Sequence, residues 1–455
     1  MCWERNKEGF RVKRGDELED ERKVDVRRFL ERRFDVLMQQ GTMVPPPPFL
    51  VPSVLEGLRG SRYEGVTEMV AGEAEAYCAR HVQRNGGIVL SNDSDCLLYD
   101  IGDRGTVVFL DDVSLVSQDG SDASQTTTLN APLFRPGIIA KRLGVPSLLD
   151  IAYILEDHPT WKFSRILQVI RTREANIKSD FHSIVMSSQL AQPYSGDLDS
   201  RESSLFNEES LRRFKAHANV LDPRFAEFVL DLAHKKTDDV ATYYTVPLFE
   251  DPMQTSAREV GAQQRRLAYL ILARACLPED VGEKTFQEKS QKVNKLQSTM
   301  WTMSTAEIDS EMQRLAQVLR TFLDRAYRHL STEVENKISA PSYWRALGMM
   351  GVHTCGKQGA DDDIAQVDRD DLEPCLSDCS RSSDWSWENI HKFAQIDAFL
   401  YSLRMVKQAI EFVSDGSLTG EEGGGRDALE VLRDMLMAMP GIEGLMPSMR
   451  ACTAE

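Results

Sequence analysis

The chain has 455 residues, of which 42% are hydrophobic and 27% charged, the profile of a soluble globular protein with room for two or three domains. No apolar run approaches the roughly 20 residues that a membrane span needs, and the eight cysteines are expected to stay reduced, so we expect an intracellular protein, in the nucleus or the cytoplasm, without a membrane partner. The formal net charge of −17 argues against nucleic-acid binding over the whole surface, because that affinity rests on Lys and Arg contacts to phosphate.

The first half of the chain is predicted to be an α/β domain preceded by a charged segment. Residues 1–48 carry apolar residues at helical spacing and end in four prolines, so a charged helical segment is predicted there. Helix and strand patterns alternate over 49–175, which is typical of a parallel sheet. The predicted elements are a helix at 49–59, a strand at 66–70, a helix at 73–84, a short buried strand at 88–90, a strand at 107–110, a polar loop at 117–131 and helices from 136 to 175.

The second half is predicted to be mostly α-helical. A polar linker at 176–204 leads into a helical domain at 205–345, whose pattern is interrupted at 242–251. Residues 353–386 are rich in Asp and Ser and are predicted to be a disordered acidic loop. C-terminal helices are predicted within 387–440.

Four carboxylates stand out in the α/β segment. Glu73 and Glu75 open a predicted helix, where free N–H groups and the helix dipole favour acids. Asp93 and Asp95 follow the carboxyl end of an apolar strand, the end at which ligands bind in open parallel sheets. Each pair alone is ordinary, since acids often begin helices and Asp-Ser-Asp often forms a turn. In this order, about twenty residues apart, they are predicted to share one small volume.

Such a cluster predicts a metal site. Four carboxylates in one place repel one another unless a cation lies between them. Mg²⁺ prefers oxygen ligands, and two such ions roughly 4 Å apart can generate a hydroxide and stabilise the leaving oxygen in phosphodiester hydrolysis. The residue types therefore indicate the chemistry of a metal-dependent nuclease.

The same segment resembles the internal region of the XPG, or flap-endonuclease, superfamily, and is most similar to its asteroid-type members. The resemblance implies a PIN-like parallel-sheet nuclease domain followed by a mostly helical C-terminal half, with Mg²⁺ or Mn²⁺ as cofactor and DNA or RNA as substrate. It rests on Glu64-Gly65-Val66-Thr67-Glu68, Gly72-Glu73-Ala74-Glu75-Ala76-Tyr77, Gly86-Gly87-Ile88-Val89-Leu90 and Asp93-Ser94-Asp95, and on a second stretch, Tyr244–Pro252 with Arg265–Tyr269.

The family's metal-binding carboxylates are matched here by Glu73, Glu75, Asp93 and Asp95. The resemblance adds Asp157 as a metal ligand, because the family pattern places a Gly-Ser-Asp triplet near this position. The family also begins with a strand bearing an Asp, and nothing of that kind precedes Pro45, so we expect the first part of the domain to be missing and the N-terminus to be incomplete. The family's glycine-rich helix-hairpin-helix, which holds DNA, is expected to be lost or altered, because 159–180 contains no glycine.

Two hypotheses from different classes remain open. The chain is either a Mg²⁺-dependent nuclease that acts on branched or single-stranded nucleic acid, or a catalytically decayed scaffold that binds protein partners through its helical C-terminal half. The complete second acidic cluster favours the nuclease. The absent first-strand acids, the missing hairpin element and the net charge favour the scaffold. The oligomeric state stays open.

Overall fold

The computed structural model describes residues 48–71, 73–117, 127–172, 206–234, 240–246, 248, 250–251, 254–277, 282–292, 295–330, 340–355, 387–413 and 425–445. They form two units: the first contains 70–172, and the second contains 48–69 with 206–445. The predicted segments at 1–48, 176–204 and 353–386 lie outside the described residues, apart from Pro48 and from 353–355, which end a helix. Both units mix helices with small sheets.

Helix α1 (Leu50–Arg59) belongs to the second unit. The fully buried Phe49 ring lies 4.9 Å from the ring of Tyr401, and Glu56 accepts a hydrogen bond from Arg404 Nη1 at 2.8 Å. The first unit therefore begins near Val70, whereas the sequence pattern places residues 49–69 in the α/β domain. The strand predicted at 66–70 is wrong, since Glu64–Val66 is a 3₁₀ turn and no strand follows it before helix α2.

The centre of the first unit is a parallel strand pair covered by helix α2 (Ala74–Asn85). Strand β1 (Gly87–Ser91) pairs in register with β2 (Gly105–Phe109), from Gly87 opposite Gly105 to Ser91 opposite Phe109. The helix buries Ala76, Ala79 and Val82, which recur every third residue and so share one face. It ends at Gly86, whose φ of 75° favours glycine. A parallel strand pair is present, but both of its strands follow α2, so the predicted strand–helix–strand unit that begins at 66–70 is not formed.

Strand β1 is buried on one face only. Val89 points into the core with α2, whereas Ile88 and Leu90 are 59% and 55% exposed. The prediction of a buried strand is therefore wrong for two of its three apolar residues. Alternate strand residues point to opposite faces, and no described element of this unit buries the face that carries Ile88 and Leu90.

The rest of the first unit is a hairpin and three helices. Strands β3 (Ser114–Ser117) and β4 (Thr127–Asn130) pair antiparallel, so the ends of the polar loop predicted at 117–131 are strands instead. The pairing places Leu115 opposite Leu129, a cross-strand contact that four-residue patterns do not reveal. The helices predicted from 136 are present as α3 (Pro136–Leu143), α4 (Leu148–Asp157) and α5 (Phe163–Thr172), and they share a core of Ala140, Val145, Ile151, Ile154, Ile166, Leu167 and Ile170.

The second unit surrounds a three-stranded sheet with helices. The sheet order is β5-β6-β7, with β5 parallel to β6 and β6 antiparallel to β7. None of the helices described is long and apolar enough to cross a membrane. After α1, its elements are α6 (Glu208–His217), α7 (Pro223–Ala233), β5 (Ala241–Tyr244), α8 (Ala262–Cys276), β6 (Glu283–Lys292), β7 (Lys295–Ser304), α9 (Thr305–Leu330), α10 (Pro341–Cys355), α11 (Trp387–Val413), α12 (Gly425–Met437) and α13 (Ile442–Leu445).

The long hairpin β6–β7 corrects the prediction of helices there. Its buried anchor is Phe286, and Glu288 accepts hydrogen bonds from Arg265 Nη2 at 2.7 Å and from Tyr269 Oη at 2.9 Å, both on α8. Strand β6 packs through one aromatic residue and one ion pair and therefore lacks the alternation of apolar and polar residues that predicts a strand from sequence.

A buried ionic network links α1, α7 and α11. Arg404 donates from Nε and Nη2 to the two carboxylate oxygens of Asp222, each at 3.1 Å, and from Nη1 to Glu56. Glu56 Oε2 also accepts from the backbone N–H of Ile442 at 2.6 Å. Asp222 is 1% exposed and Arg404 is also buried. If the Asp222 carboxylate were lost, water could therefore not replace it as the partner of the guanidinium.

Asp222→Ala should lower the free energy of unfolding of the second unit by about 3–5 kcal/mol, because it leaves a buried cation without its main partner. The measurement is urea unfolding followed by tryptophan fluorescence. The matched control is Glu209→Ala, which removes an exposed pair with Arg212 at 2.7 Å and should leave the free energy of unfolding almost unchanged, because water screens the pair. Equal effects from the two variants would show that the Arg404 network contributes no more than a surface pair.

Candidate active site

The start of helix α2 carries two of the predicted ligands. Glu73 is the residue before the helix, with extended backbone dihedrals, and Glu75 lies in its first turn. Both are partly buried. The free N–H groups of a helix start stabilise carboxylates, so the local sequence accounts for acids at this place without a ligand.

The carboxyl end of β1 carries the other pair. Asp93 Oδ1 accepts the backbone N–H of Asp95 at 2.9 Å and so caps the 3₁₀ turn Ser94–Leu97. The Asp93 N–H in turn donates to Ser91 Oγ at 3.0 Å. These bonds fix the backbone just beyond the strand, which orients the Asp93 carboxylate relative to β1.

A reciprocal amide–carboxylate contact joins the ends of the two parallel strands. Asn92 Nδ2 donates to Asp111 Oδ1 at 3.0 Å, and the Asp111 N–H donates to Asn92 Oδ1 at 3.0 Å. The sequence analysis missed this pair. Asn92 and Asp111 each come just after one of the two predicted strands. The carboxyl ends of parallel strands meet at one edge of a sheet, so these positions in the sequence could have predicted the contact.

Cys96 is a buried thiol that both acidic segments influence. Its pKa is raised to about 11, mainly by burial and in addition by the negative charges of Glu75 and Asp93, while a hydrogen bond with Ser91 lowers it. One carboxylate of the helix start and one of the strand end therefore act electrostatically on the same thiol. Burial and the charge of Glu75 also raise the pKa of Cys78, on the next turn of α2. Neither cysteine was a candidate from the sequence.

The five predicted site residues lie in three places of the first unit. Glu73 and Glu75 lie at the start of α2, and Asp93 and Asp95 lie at the turn after β1. Asp157 is the last residue of α4, and its side chain lies outside the described part of the chain. Among the side chains that the structure describes, no three or more His, Cys, Asp or Glu are grouped as metal ligands. Joint binding by all five stays a prediction.

The donor set fits Mg²⁺ in kind. Carboxylate oxygens are hard ligands, and Mg²⁺ is commonly held by one or two carboxylates together with water and substrate phosphate. Glu75 and Asp93 supply that number, and Asp93 uses one oxygen on the Asp95 N–H. The arrangement can therefore attract a divalent cation but does not by itself enclose one.

The first unit thus combines a parallel strand pair, which has acidic residues at its carboxyl edge, with a helix that begins with acidic residues. A family model described as "XPG domain containing" matches residues 46–334, about two thirds of the chain, so the chain belongs to the XPG family. No curated protein and no solved structure matches it. The match begins before α1 and ends after α9, and so includes residues of both units.

Glu75→Gln or Asp93→Asn should each lower the pKa of Cys96 below about 11, because each removes a negative charge that disfavours the thiolate. The folded thiol holds its proton more tightly than an unfolded one, so its contribution to stability is complete below about pH 9 and is lost as the pH rises toward 11. In either variant the loss should still begin near pH 9, where the unfolded thiol titrates, but it should end at lower pH and be smaller.

The pKa is measured from the ¹³Cβ shift of Cys96 in cysteine-labelled protein, titrated from neutral to alkaline pH and assigned with Cys96→Ala. Asp103→Asn is the matched control, since Asp103 is an exposed acid of the same unit on the turn before β2. If all three variants titrate like the original protein, Glu75 and Asp93 do not converge on Cys96.

Proposed function

We propose that this chain is an asteroid-type XPG protein with a PIN-like domain, and that it is a Mg²⁺-dependent nuclease acting on DNA or RNA. The observation that supports this most directly is the acidic carboxyl edge of the parallel strands, where Asp111 bonds to Asn92 and Asp93 caps the following turn, in a chain of the XPG family. XPG-family nucleases generally use Mg²⁺, and the chain's donor set is of the kind that this ion prefers.

Glu75 and Asp93 would hold the ion, with Glu73 and Asp95 as neighbours that strengthen the negative potential. A bound Mg²⁺ would supply a Lewis acid and an activated water for attack on phosphorus. The protein's own part is to position the carboxylates: the Ser91 and Asp95 contacts fix the backbone at Asp93, and the first turn of α2 carries Glu75. Asp157, at the end of α4, is proposed as a further ligand on the family resemblance alone.

The charge of this region makes a cation necessary for such chemistry. Residues 73–112 contain eight acidic and three basic side chains, and this excess repels the phosphate of a nucleic acid. A divalent ion between Glu75 and Asp93 would offset the repulsion where the phosphate has to approach. Without the ion, substrate binding at this edge is unfavourable.

The second candidate is a non-catalytic scaffold, active in the nucleus or the cytoplasm, that binds protein partners through its helical half. One observation favours it: among the described side chains, no group of three or more His, Cys, Asp or Glu is placed to hold a metal. The inherited carboxylates would then bind one ion weakly or none.

Purified protein should cleave flap-bearing or single-stranded substrates in Mg²⁺ or Mn²⁺ and not in EDTA. Glu75→Gln and Asp93→Asn should each lower the cleavage rate by more than about 100-fold, because even groups outside the first ligand shell of a metal cost about 10- to 100-fold. Asp103→Asn should cleave at the original rate. A folded protein that cleaves none of the substrates in either metal would support the scaffold, and cleavage that survives both carboxylate changes would point to a contaminating enzyme.

Magnesium should also lower the pKa of Cys96, because a cation near Glu75 and Asp93 offsets the charges that raise it. The ¹³Cβ titration of Cys96 is repeated with and without Mg²⁺, and the shift should disappear in the Glu75→Gln/Asp93→Asn double variant. This measurement reports binding independently of cleavage. A Cys96 pKa that is the same with and without Mg²⁺ would place the ion elsewhere or exclude its binding.

A further inference from the structure

The turn between α4 and α5 carries a three-layer stack of side chains. The rings of His158 and Trp161 lie 3.9 Å apart between centroids and are nearly parallel, at 12°. The Arg165 guanidinium carbon lies 4.1 Å from the Trp161 ring centroid. Two groups this close to one ring centre cannot share a face, so the tryptophan is sandwiched between them. We call His158–Arg165 the stacked turn.

The backbone of the stacked turn holds the layers in place. The N–H of Trp161 donates to the His158 carbonyl at 3.0 Å, and the N–H of Arg165 donates to the Lys162 carbonyl at 2.9 Å. Trp161 is partly buried against the helical core of the first unit. The middle layer is thereby anchored, and the outer layers keep a fixed orientation without a ligand.

The outer layers of the stack face solvent. His158, Lys162 and Arg165 are exposed, and Phe163 is 49% exposed. An imidazole ring with one face on Trp161 and the other open presents a flat π surface. Lys162 and Arg165 place two cations beside it. Exposed aromatic surface next to cations is the combination that binds unpaired bases with their phosphates.

The surroundings of the turn are basic, in contrast to the rest of the chain. Residues 135–172 carry six basic side chains, while the full chain has a net charge of −17. Of the three acids in this range, Asp150 is fully buried in the capping box of α4, where it accepts from the Ser147 N–H. The basic residues are Arg135, Lys141, Arg142, Lys162, Arg165 and Arg171.

We propose that the stacked turn binds single-stranded nucleic acid, with a base stacked on the open face of His158 and with Lys162 and Arg165 at the neighbouring phosphates. Base faces are accessible only when a strand is unpaired, so the site discriminates against duplex. The proposal shares its partner class with the proposed nuclease but needs no metal ion, so binding can be tested apart from cleavage.

The test is fluorescence anisotropy of labelled oligothymidylate of about 20 nucleotides, and of a matching duplex, with the full chain in EDTA. The single strand should bind more tightly than the duplex. His158→Ala should weaken binding by about 5- to 100-fold, the range of base–aromatic stacking, and His158→Tyr should restore most of it. Lys162→Gln should reduce the slope of log affinity against log salt by about 0.7, the value of one phosphate contact on a single strand.

Lys215→Gln, an exposed lysine of the second unit, is the matched control and should bind as the original protein does. Far-UV circular dichroism and thermal unfolding should show the His158 and Lys162 variants to be folded. Absence of binding by the original protein, or unchanged binding by both variants, overturns the proposal. The proposal is also overturned if the duplex binds as tightly as the single strand and His158→Ala weakens the binding of both by the same factor.

The outcomes also separate the two proposals. Glu75→Gln and Asp93→Asn should bind the single strand in EDTA as the original protein does. Binding that depends on His158, without any cleavage in Mg²⁺, would leave the stacked turn in place and remove the nuclease. Cleavage in Mg²⁺ by a protein whose His158 and Lys162 variants bind the single strand as tightly as the original would support the nuclease and overturn the stacked-turn proposal.

Discussion

The parallel pairing of β1 with β2 is the constraint on which the candidate site depends. It brings the ends of both strands to one edge, where Asn92 and Asp111 exchange two hydrogen bonds. The pairing starts at Gly105, where a Cβ atom would collide with the carbonyl oxygen of Ile101, so a larger residue would displace the strand. Gly86, with its positive φ, ends α2 and lets the chain reverse into β1. The register of β1 against β2 fixes the end of β1 and so the position of Asp93. Because α2 leads directly into β1 through Gly86, the pairing also constrains where α2 lies.

Charge within the first unit is divided between two regions. The sheet edge and α2 are acidic, with eight acids and three bases over 73–112, while 135–172 carries six bases and three acids. Because the charge is divided in this way, the net charge of −17 does not argue against the proposed nucleic-acid partner. Affinity depends on where the cations lie and not on their sum, and a local basic surface can hold a strand while a separate acidic site holds a metal.

The elements that could be predicted from sequence are those whose pattern is local. Helix α2 and strands β1 and β2 combine apolar periodicity with a glycine stop, and they were predicted within a few residues. Strand β6 could not be predicted in this way, because its partner β5 lies some 45 residues earlier in the chain. Phe286, which is buried, is also the single apolar residue of β6, so the strand has no apolar pattern. The stacked turn was overlooked because it consists of single polar and aromatic residues three or four apart, without periodicity.

The spacing of the site residues in the sequence does not fix the directions of their side chains. Glu75 lies in the first turn of α2, whereas Glu73 precedes the helix with extended dihedrals, which regular helical spacing does not predict. Asp93 and Asp95 are separated by the turn in which the first caps the second. The pattern of four acids therefore indicates the chemistry, whereas the direction of each carboxylate depends on the local backbone, and the Cys96 thiol has no signal in the charge pattern.

That thiol bears on the choice between the candidate functions. With a pKa near 11, Cys96 is neutral at physiological pH and adds no third negative charge, so the local charge is that of Glu75 and Asp93. One divalent cation would balance these two charges. In a scaffold that binds no cation, both carboxylates still have structural roles, because Asp93 caps the turn Ser94–Leu97 and the start of α2 stabilises Glu75. The balance of charge favours the nuclease, whereas the local backbone contacts are the same for both functions.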